Sequence, residues 1–161
     1  MPHTAQAQDG MSGGDTERLA ELVRAKRSCL AQLRELGRRQ LALIDEGDMA
    51  RLLELLAGKQ RLIEQLQRVE RAMDPFRGED PESRPWPSPE RRRRCADEVR
   101  QCETLLAEVL GQEKLSESAL TQRRDAAAAR LQGAHAASLA RGAYAAEPAA
   151  ALAQLDLLSE S

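Results

Sequence analysis

The residue types that carry out most enzyme and metal chemistry are sparse in this sequence. The two histidines are His3 and His135, and no His-Glu-x-x-His pair, glycine-rich phosphate loop or Ser/His/Asp arrangement accompanies them. Since groups that transfer protons or hold a metal are not brought together by any motif, we expect neither an enzyme nor a bound cofactor or metal ion.

The three cysteines, Cys29, Cys95 and Cys102, are interpreted as structural. Cys95 and Cys102 are one heptad apart, whereas metal and redox sites use closer pairs such as Cys-x-x-Cys. We predict that these residues are small apolar side chains on a packed helix face, in a reducing compartment.

The densest charge cluster is the run Arg91 to Arg94. A nucleic-acid site would need further basic residues along the same face and aromatic side chains for stacking. Glu90, Asp97 and Glu98 instead dilute this cluster, which favours a solvated surface run. The whole chain has 24 basic and 26 acidic residues and a net charge of -2, so we expect neither nucleic acid nor a membrane surface as a partner.

The composition is typical of an all-α protein. Hydrophobic residues make up 42% of the chain but aromatic residues only 2%, and leucine and alanine, both strong helix formers, dominate the apolar content. No run of about 18 apolar residues is present, and the first residues have neither the basic start nor the apolar core of a signal peptide. We expect a cytoplasmic protein.

The first predicted helix covers about residues 16–45, behind a disordered lead at 1–14. Gly37 is interpreted as an interior weakness of this helix, costing about 1 kcal/mol relative to alanine. Gly47 can adopt the left-handed conformation that ends the helix, and Asp48 can cap the next one.

The second predicted helix covers about residues 49–73, with a leucine-rich stripe interrupted by Lys59 and Gln60. We predict that the Lys59 stem packs along the seam while its ammonium stays in water. The short connection at Gly47 makes the two helices an antiparallel hairpin.

A proline-rich connector, 74–88, precedes the third predicted helix, about 89–140. We expect the connector to lack regular structure, with Phe76 and Trp86 either pinning it to the hairpin or contacting a partner. The third helix is longer than the hairpin that could cover it. The overall prediction is a three-helix elongated bundle over residues 15–141.

The last residues, 142–161, are predicted to be a flexible tail with a short amphipathic segment, separated from the third helix by Pro148. Five leucines in the C-terminal part of the chain are therefore candidates for binding a partner helix. These are Leu131, Leu139, Leu152, Leu155 and Leu158.

The pattern resembles the FlgN family of flagellar export chaperones. It is carried by LALIDEGD at the end of the first helix, MARLLELLAGKQRLIEQLQRVER in the second and LLAEVLGQEKLSESALTQRRD in the third. The resemblance implies a cytoplasmic, non-enzymatic chaperone for type III export. It implies that the C-terminal helical region binds the helical C-terminal segment of hook–filament junction proteins, with components of the export apparatus as further partners.

Two other interpretations stay open at this point. The first is a structural coiled-coil protein that acts through homodimerisation or assembly into a larger helical complex. The second is a small all-α mutase of the chorismate mutase type, for which Arg51 and Lys59 would bind an anion between helices.

Overall fold

The computed structural model describes residues 9–79 and 84–159; for residues 9–12 and 147–159 it describes the backbone only. Helix α1 spans Asp9–Glu46, α2 spans Met49–Met73, and α3 spans Pro89–Ser159. A single turn of 3-10 helix, Asp74–Phe76, follows α2 directly. The described residues contain no strand, so the prediction of an all-α fold with a helical hairpin and a long third helix is confirmed.

The α1–α2 turn is built by Gly47 and Asp48, as their types predict. Gly47 has a φ of 76°, in the left-handed region that favours glycine. Its N–H donates to the Ile44 carbonyl at 3.1 Å, and the Asp48 N–H donates to the Leu43 carbonyl at 3.1 Å, which satisfies the last carbonyls of α1. The Asp48 carboxylate accepts from the Arg51 N–H at 3.2 Å and thereby caps α2.

The side-chain pairs between helices define their directions. Arg27 pairs with Gln101 and Arg34 with Glu108, and in both pairs the partners are 74 residues apart. A constant separation means that α1 and the first part of α3 run parallel. Between α1 and α2 the pairs are Gln40 with Lys59 and Lys26 with Glu70, and as one residue number rises the other falls, so these helices are antiparallel.

The buried core lies mainly between α1 and α3. Its central cluster comprises Leu30, Leu33, Cys102, Leu105 and Val109, with partly buried α2 side chains packed against it. The three cysteines are all buried, which confirms their interpretation as small apolar residues of a packed face.

Three boundaries differ from the sequence-based prediction. Helix α1 begins at Asp9, so residues 9–14 are helical, because single glycines lower helix stability without blocking the conformation. The 3-10 turn at Asp74–Phe76 adds regular structure to the connector, since proline is compatible with the first turn of a helix.

The third difference is at the C-terminus, where α3 continues through Pro148 to Ser159 instead of ending near residue 140. Proline costs about 3 kcal/mol inside a helix, but alanines with the highest helix propensity lie on both sides of Pro148.

The chain divides into two compact units, Met1–Ala119 and Leu120–Ser161. The first contains the three-helix core. In the second, every side chain from 121 to 146 is exposed. Across the described residues, no helix has a stretch long and apolar enough to cross a membrane.

Candidate functional site

A candidate site with exposed apolar side chains lies on α3 within the second unit. Leu131 is 72% exposed, Leu139 is 63% exposed and Tyr144 is 75% exposed. Single exposed apolar residues are ordinary, but here no side chain from 121 to 146 is buried. The side chains of Leu152, Leu155 and Leu158, the other predicted partner-binding residues, lie outside the described ones.

Helical geometry places Leu131 and Leu139 on neighbouring faces. At about 100° per residue, the eight steps between them leave them about 80° apart around the axis. Tyr144 lies on a different side of the helix. The two leucines therefore border one face wide enough for a partner helix, with Arg124 and His135 between them, and Tyr144 does not belong to it.

A polar layer, which we define as Gln40, Lys59, Gln112, Glu113 and Ser116, crosses the three-helix core; Gln40, Lys59 and Ser116 are buried, and the Glu113 side chain is 46% exposed. The Lys59 ammonium donates to the side-chain amide oxygen of Gln40 at 2.9 Å and also forms an ion pair with Glu113. Lys59 is only 6% exposed, so the prediction that its ammonium stays in water is wrong. Burial lowers the pKa of Lys59 below its ordinary value, because the charged form has lost most of its hydration.

The rest of the polar layer involves Gly37 of α1. The Gln112 amide donates to the Arg34 carbonyl at 3.0 Å, and a Cβ on Gly37 would lie 2.2 Å from the Gln112 Oε1. With Gln112 in this position, an alanine at 37 would require the amide to move, so Gly37 has a packing role beside its predicted cost in helix propensity. Gln112 Oε1 and Ser116 Oγ are buried and have no hydrogen-bond partner in the part of the chain that the structure describes.

This layer joins all three helices and gives them a single favourable alignment. A slip of α3 along α1 would leave Lys59, Glu113 and the Gln112 amide without their partners, at the desolvation cost of each group. Sequence reasoning missed the layer. Its one visible signal was that glycine and polar residues occupy positions where the heptad pattern requires apolar ones.

The connector is held by contacts of its own residues. The Arg84 guanidinium donates to the Phe76 carbonyl at 2.8 Å, pairs with Glu79 at 3.0 Å and lies 5.2 Å from the centre of the Phe76 ring. Trp86 lines a cavity of about 440 Å³ together with Phe76 and Val99. The aromatic residues of the connector thus border a cavity that Leu19 of α1 also lines, and the choice between their two predicted roles stays a prediction.

The arginine run opens α3 without forming an anion site. Arg91 pairs with Glu17 of α1, and the Ser88 hydroxyl accepts from the Arg91 N–H at 3.2 Å as the helix cap. Arg94 faces a cleft that Glu17, Glu21 and Glu98 also line. These carboxylates would repel a phosphate, so the surface interpretation of the run fits the geometry.

The residues considered for mutase chemistry do not converge. Arg51 is exposed and pairs with Asp48 at 3.5 Å, while Lys59 is buried against Gln40 and Glu113. Among the residues that the structure describes, no cluster of His, Cys, Asp or Glu could hold a metal ion. His135 is exposed, and His3 lies outside the described residues.

Fold and surface together define a three-helix protein with an exposed helical face. Comparisons with protein-family models, with curated proteins and with solved structures give no match for this chain.

Proposed function

We propose that this protein is a cytoplasmic chaperone for flagellar type III export, which binds the helical C-terminal segment of hook–filament junction proteins before their secretion. The observation that carries the proposal is the exposed face of α3, on which Leu131 and Leu139 are 72% and 63% exposed. A helix with leucines three and four residues apart could cover this face.

The two leucines supply part of the free energy of binding. Burying one leucine contributes about 1.5 to 3 kcal/mol, and micromolar affinity corresponds to about 8 kcal/mol. Leu131 and Leu139 together contribute about 3 to 6 kcal/mol, so apolar residues of the client must supply the rest and offset the ordering costs. Reversibility suits a chaperone that must release its client at the export apparatus.

The test is isothermal titration of the full chain with peptides from the C-terminal segments of hook–filament junction proteins. Replacing both leucines by alanine (Leu131→Ala with Leu139→Ala) should weaken binding at least tenfold, because about 1.4 kcal/mol corresponds to tenfold. Leu53→Ala is the matched control, since Leu53 is 69% exposed on α2 and its replacement should leave binding unchanged.

A version of the chain ending at Gly142 locates the rest of the contact. Loss of binding in this version would place part of it near Leu152, Leu155 and Leu158. If no peptide from an axial flagellar protein binds the full chain, the proposed function is wrong.

The second candidate is a structural coiled-coil protein that forms homodimers, because the same exposed face of α3 could pair with its own copy. Sedimentation equilibrium of the protein alone decides between the two. A dimer that persists at micromolar concentration without any client would favour the coiled-coil role.

A further inference from the structure

We propose that the exposed face of α3 selects a partner helix with a row of acidic side chains. This inference rests on the proposed function and specifies the chemistry of its client. The surface consists of an arginine row, defined as Arg123, Arg130 and Arg141, and of the apolar strip beside it, defined as Ala127, Leu131 and Ala134.

The segment from 120 to 146 differs in charge from the whole chain. It carries four arginines and one aspartate, a net charge of +3, whereas the whole chain has a net charge of -2. All of these charged side chains are exposed. This part of α3 is therefore locally basic on a protein that is acidic overall.

Three of the four arginines lie along one line of the helix. Arg123, Arg130 and Arg141 are separated by seven and eleven residues, close to two and three full turns, so they fall within about 20° of each other around the axis. Arg130 and Arg141 form no ion pair or hydrogen bond with the residues at 13–79 and 84–146, the positions whose side chains the structure describes. Their guanidinium groups are thus available to a partner.

The apolar strip lies immediately beside this row. Ala127 and Ala134 fall within about 60° of the arginines, and Leu131 follows at about 100° from Arg130, whereas Leu139 lies on the opposite side of the helix, about 160° to 180° from the row. The alanines let a partner helix approach closely, and Leu131 offers surface to bury. An apolar strip with a charged row along one edge is the arrangement by which helices choose their partners.

The charges decide which partner fits. A second copy of this chain would bring two basic segments together, and like charges across an interface disfavour association. A helix with carboxylates beside its leucines would place an acidic side chain opposite each arginine. The leucines then supply most of the affinity, while the arginines supply selectivity and orientation.

The experiment uses the full chain and two synthetic helical peptides that share the same leucines and differ only in one flanking row, glutamate in one and lysine in the other. Fluorescence anisotropy should show that the glutamate peptide binds roughly tenfold more tightly, taking each of the two pairings at Arg130 and Arg141 as roughly threefold. The preference should shrink at high salt, because exposed charges are screened.

The variant Arg130→Gln with Arg141→Gln should lose most of this preference and keep its helix content by circular dichroism. The matched control is Arg61→Gln with Arg68→Gln on α2, where both arginines are also exposed and whose replacement should leave the preference intact. Equal binding of the two peptides, or no binding of either, overturns the inference. A stable homodimer also overturns the inference. The same holds if an oligonucleotide at equal concentration displaces the glutamate peptide by binding to the same arginines.

The outcomes separate this inference from the proposed function. If the glutamate peptide binds selectively but no segment of a hook–filament junction protein binds, the acidic-helix preference holds and the flagellar role fails. If such segments bind regardless of their charge and the arginine variant binds them equally well, the chaperone role holds and this inference is overturned.

Discussion

At the scale of single residues, the presence of glycine at position 37 is explained by a side chain on another helix. It lies on the buried face of α1 where the Gln112 amide of α3 crosses to the Arg34 carbonyl. Alanine would favour the α1 helix by about 0.5 to 1 kcal/mol. Its Cβ, however, would lie 2.2 Å from Gln112 Oε1 and 2.8 Å from Gln112 Cδ, so the amide would have to move.

We predict that Gly37→Ala lowers the free energy of unfolding by about 1 kcal/mol, because losing the buried hydrogen bond of Gln112, at about 1 to 3 kcal/mol, outweighs the gain in helix propensity. In a Gln112→Ala background the same change should become stabilising. Urea denaturation of the unchanged protein, the two single variants and the double variant measures the sign of the change in free energy of unfolding with and without Gln112. Gly111→Ala, with open space around the added Cβ, is the control and should stabilise. A destabilisation that persists without Gln112 would refute the argument.

The contacts of residues 37 and 59 could not be predicted from the sequence. The glycine and the lysine were both recognised as breaks in a heptad pattern, but their explanation lies in Gln112, Glu113 and Gln40, which are distant along the chain. Periodicity identifies which face of a helix is buried. It does not identify which polar side chain from another helix meets that face.

At the scale of elements, the hairpin turn is the best predicted feature, because its cause is local. Gly47 is left-handed and Asp48 caps α2 through bonds that span only a few residues. The ends of α1 and α3 were predicted less well. Glycine and proline shift helix stability by limited amounts, so Gly13 and Pro148 were given more weight as helix breakers than the structure supports.

The turn gives a direct prediction. Gly47→Ala should lower the free energy of unfolding by about 1 to 2 kcal/mol, since a residue with a Cβ is strained at a φ of 76°. Gly47→Asn should cost less, because asparagine tolerates the left-handed region. Guanidinium denaturation followed by circular dichroism measures the order of the three proteins. Equal stabilities would mean that the turn relaxes to another geometry.

At the scale of the whole molecule, pH connects stability to the buried thiols. Burial raises the pKa of Cys29, Cys95 and Cys102 above the ordinary value of 9.0. The folded protein holds these protons more tightly than the unfolded chain does. This contribution to stability is therefore fully present below pH 9.0 and is lost as the pH rises through the folded-state values. Lys59 acts in the opposite sense, because burial lowers its pKa from 10.5 and the folded state gains stability as the pH rises toward that value.

We predict that the difference in free energy of unfolding between the protein and the Cys29→Ala variant is smaller at about pH 10 than at about pH 7. Lys59 and the other thiols are common to both proteins, so the difference isolates Cys29. Urea denaturation under reducing conditions at several pH values measures it. If the difference in free energy of unfolding stays constant over this pH range, the ionisation of Cys29 does not differ between the folded and the unfolded chain, and the argument is wrong.

The fold class followed from composition and periodicity because an all-α arrangement depends on properties that every part of this chain shares. The function does not follow in that way. A helix that binds a client and a helix that binds its own copy have the same apolar periodicity. Under the proposal of an acidic partner helix, what would distinguish them is the distribution of charge along α3, which depends on a few arginines at particular positions.

The parallel alignment of α1 and α3 also has a consequence for the order in which the helices come together during folding. Contacts within the hairpin join residues as few as 19 apart, whereas the side-chain pairs between α1 and α3 span 74 residues. Closing the shorter loop costs less entropy, so we expect the hairpin to form before α3 docks. The two hairpin helices also leave the ribosome before α3, because they precede it in the chain. Leu30 and Leu33 stay exposed until α3 covers them, so we expect the nascent chain to be most prone to aggregation during this interval.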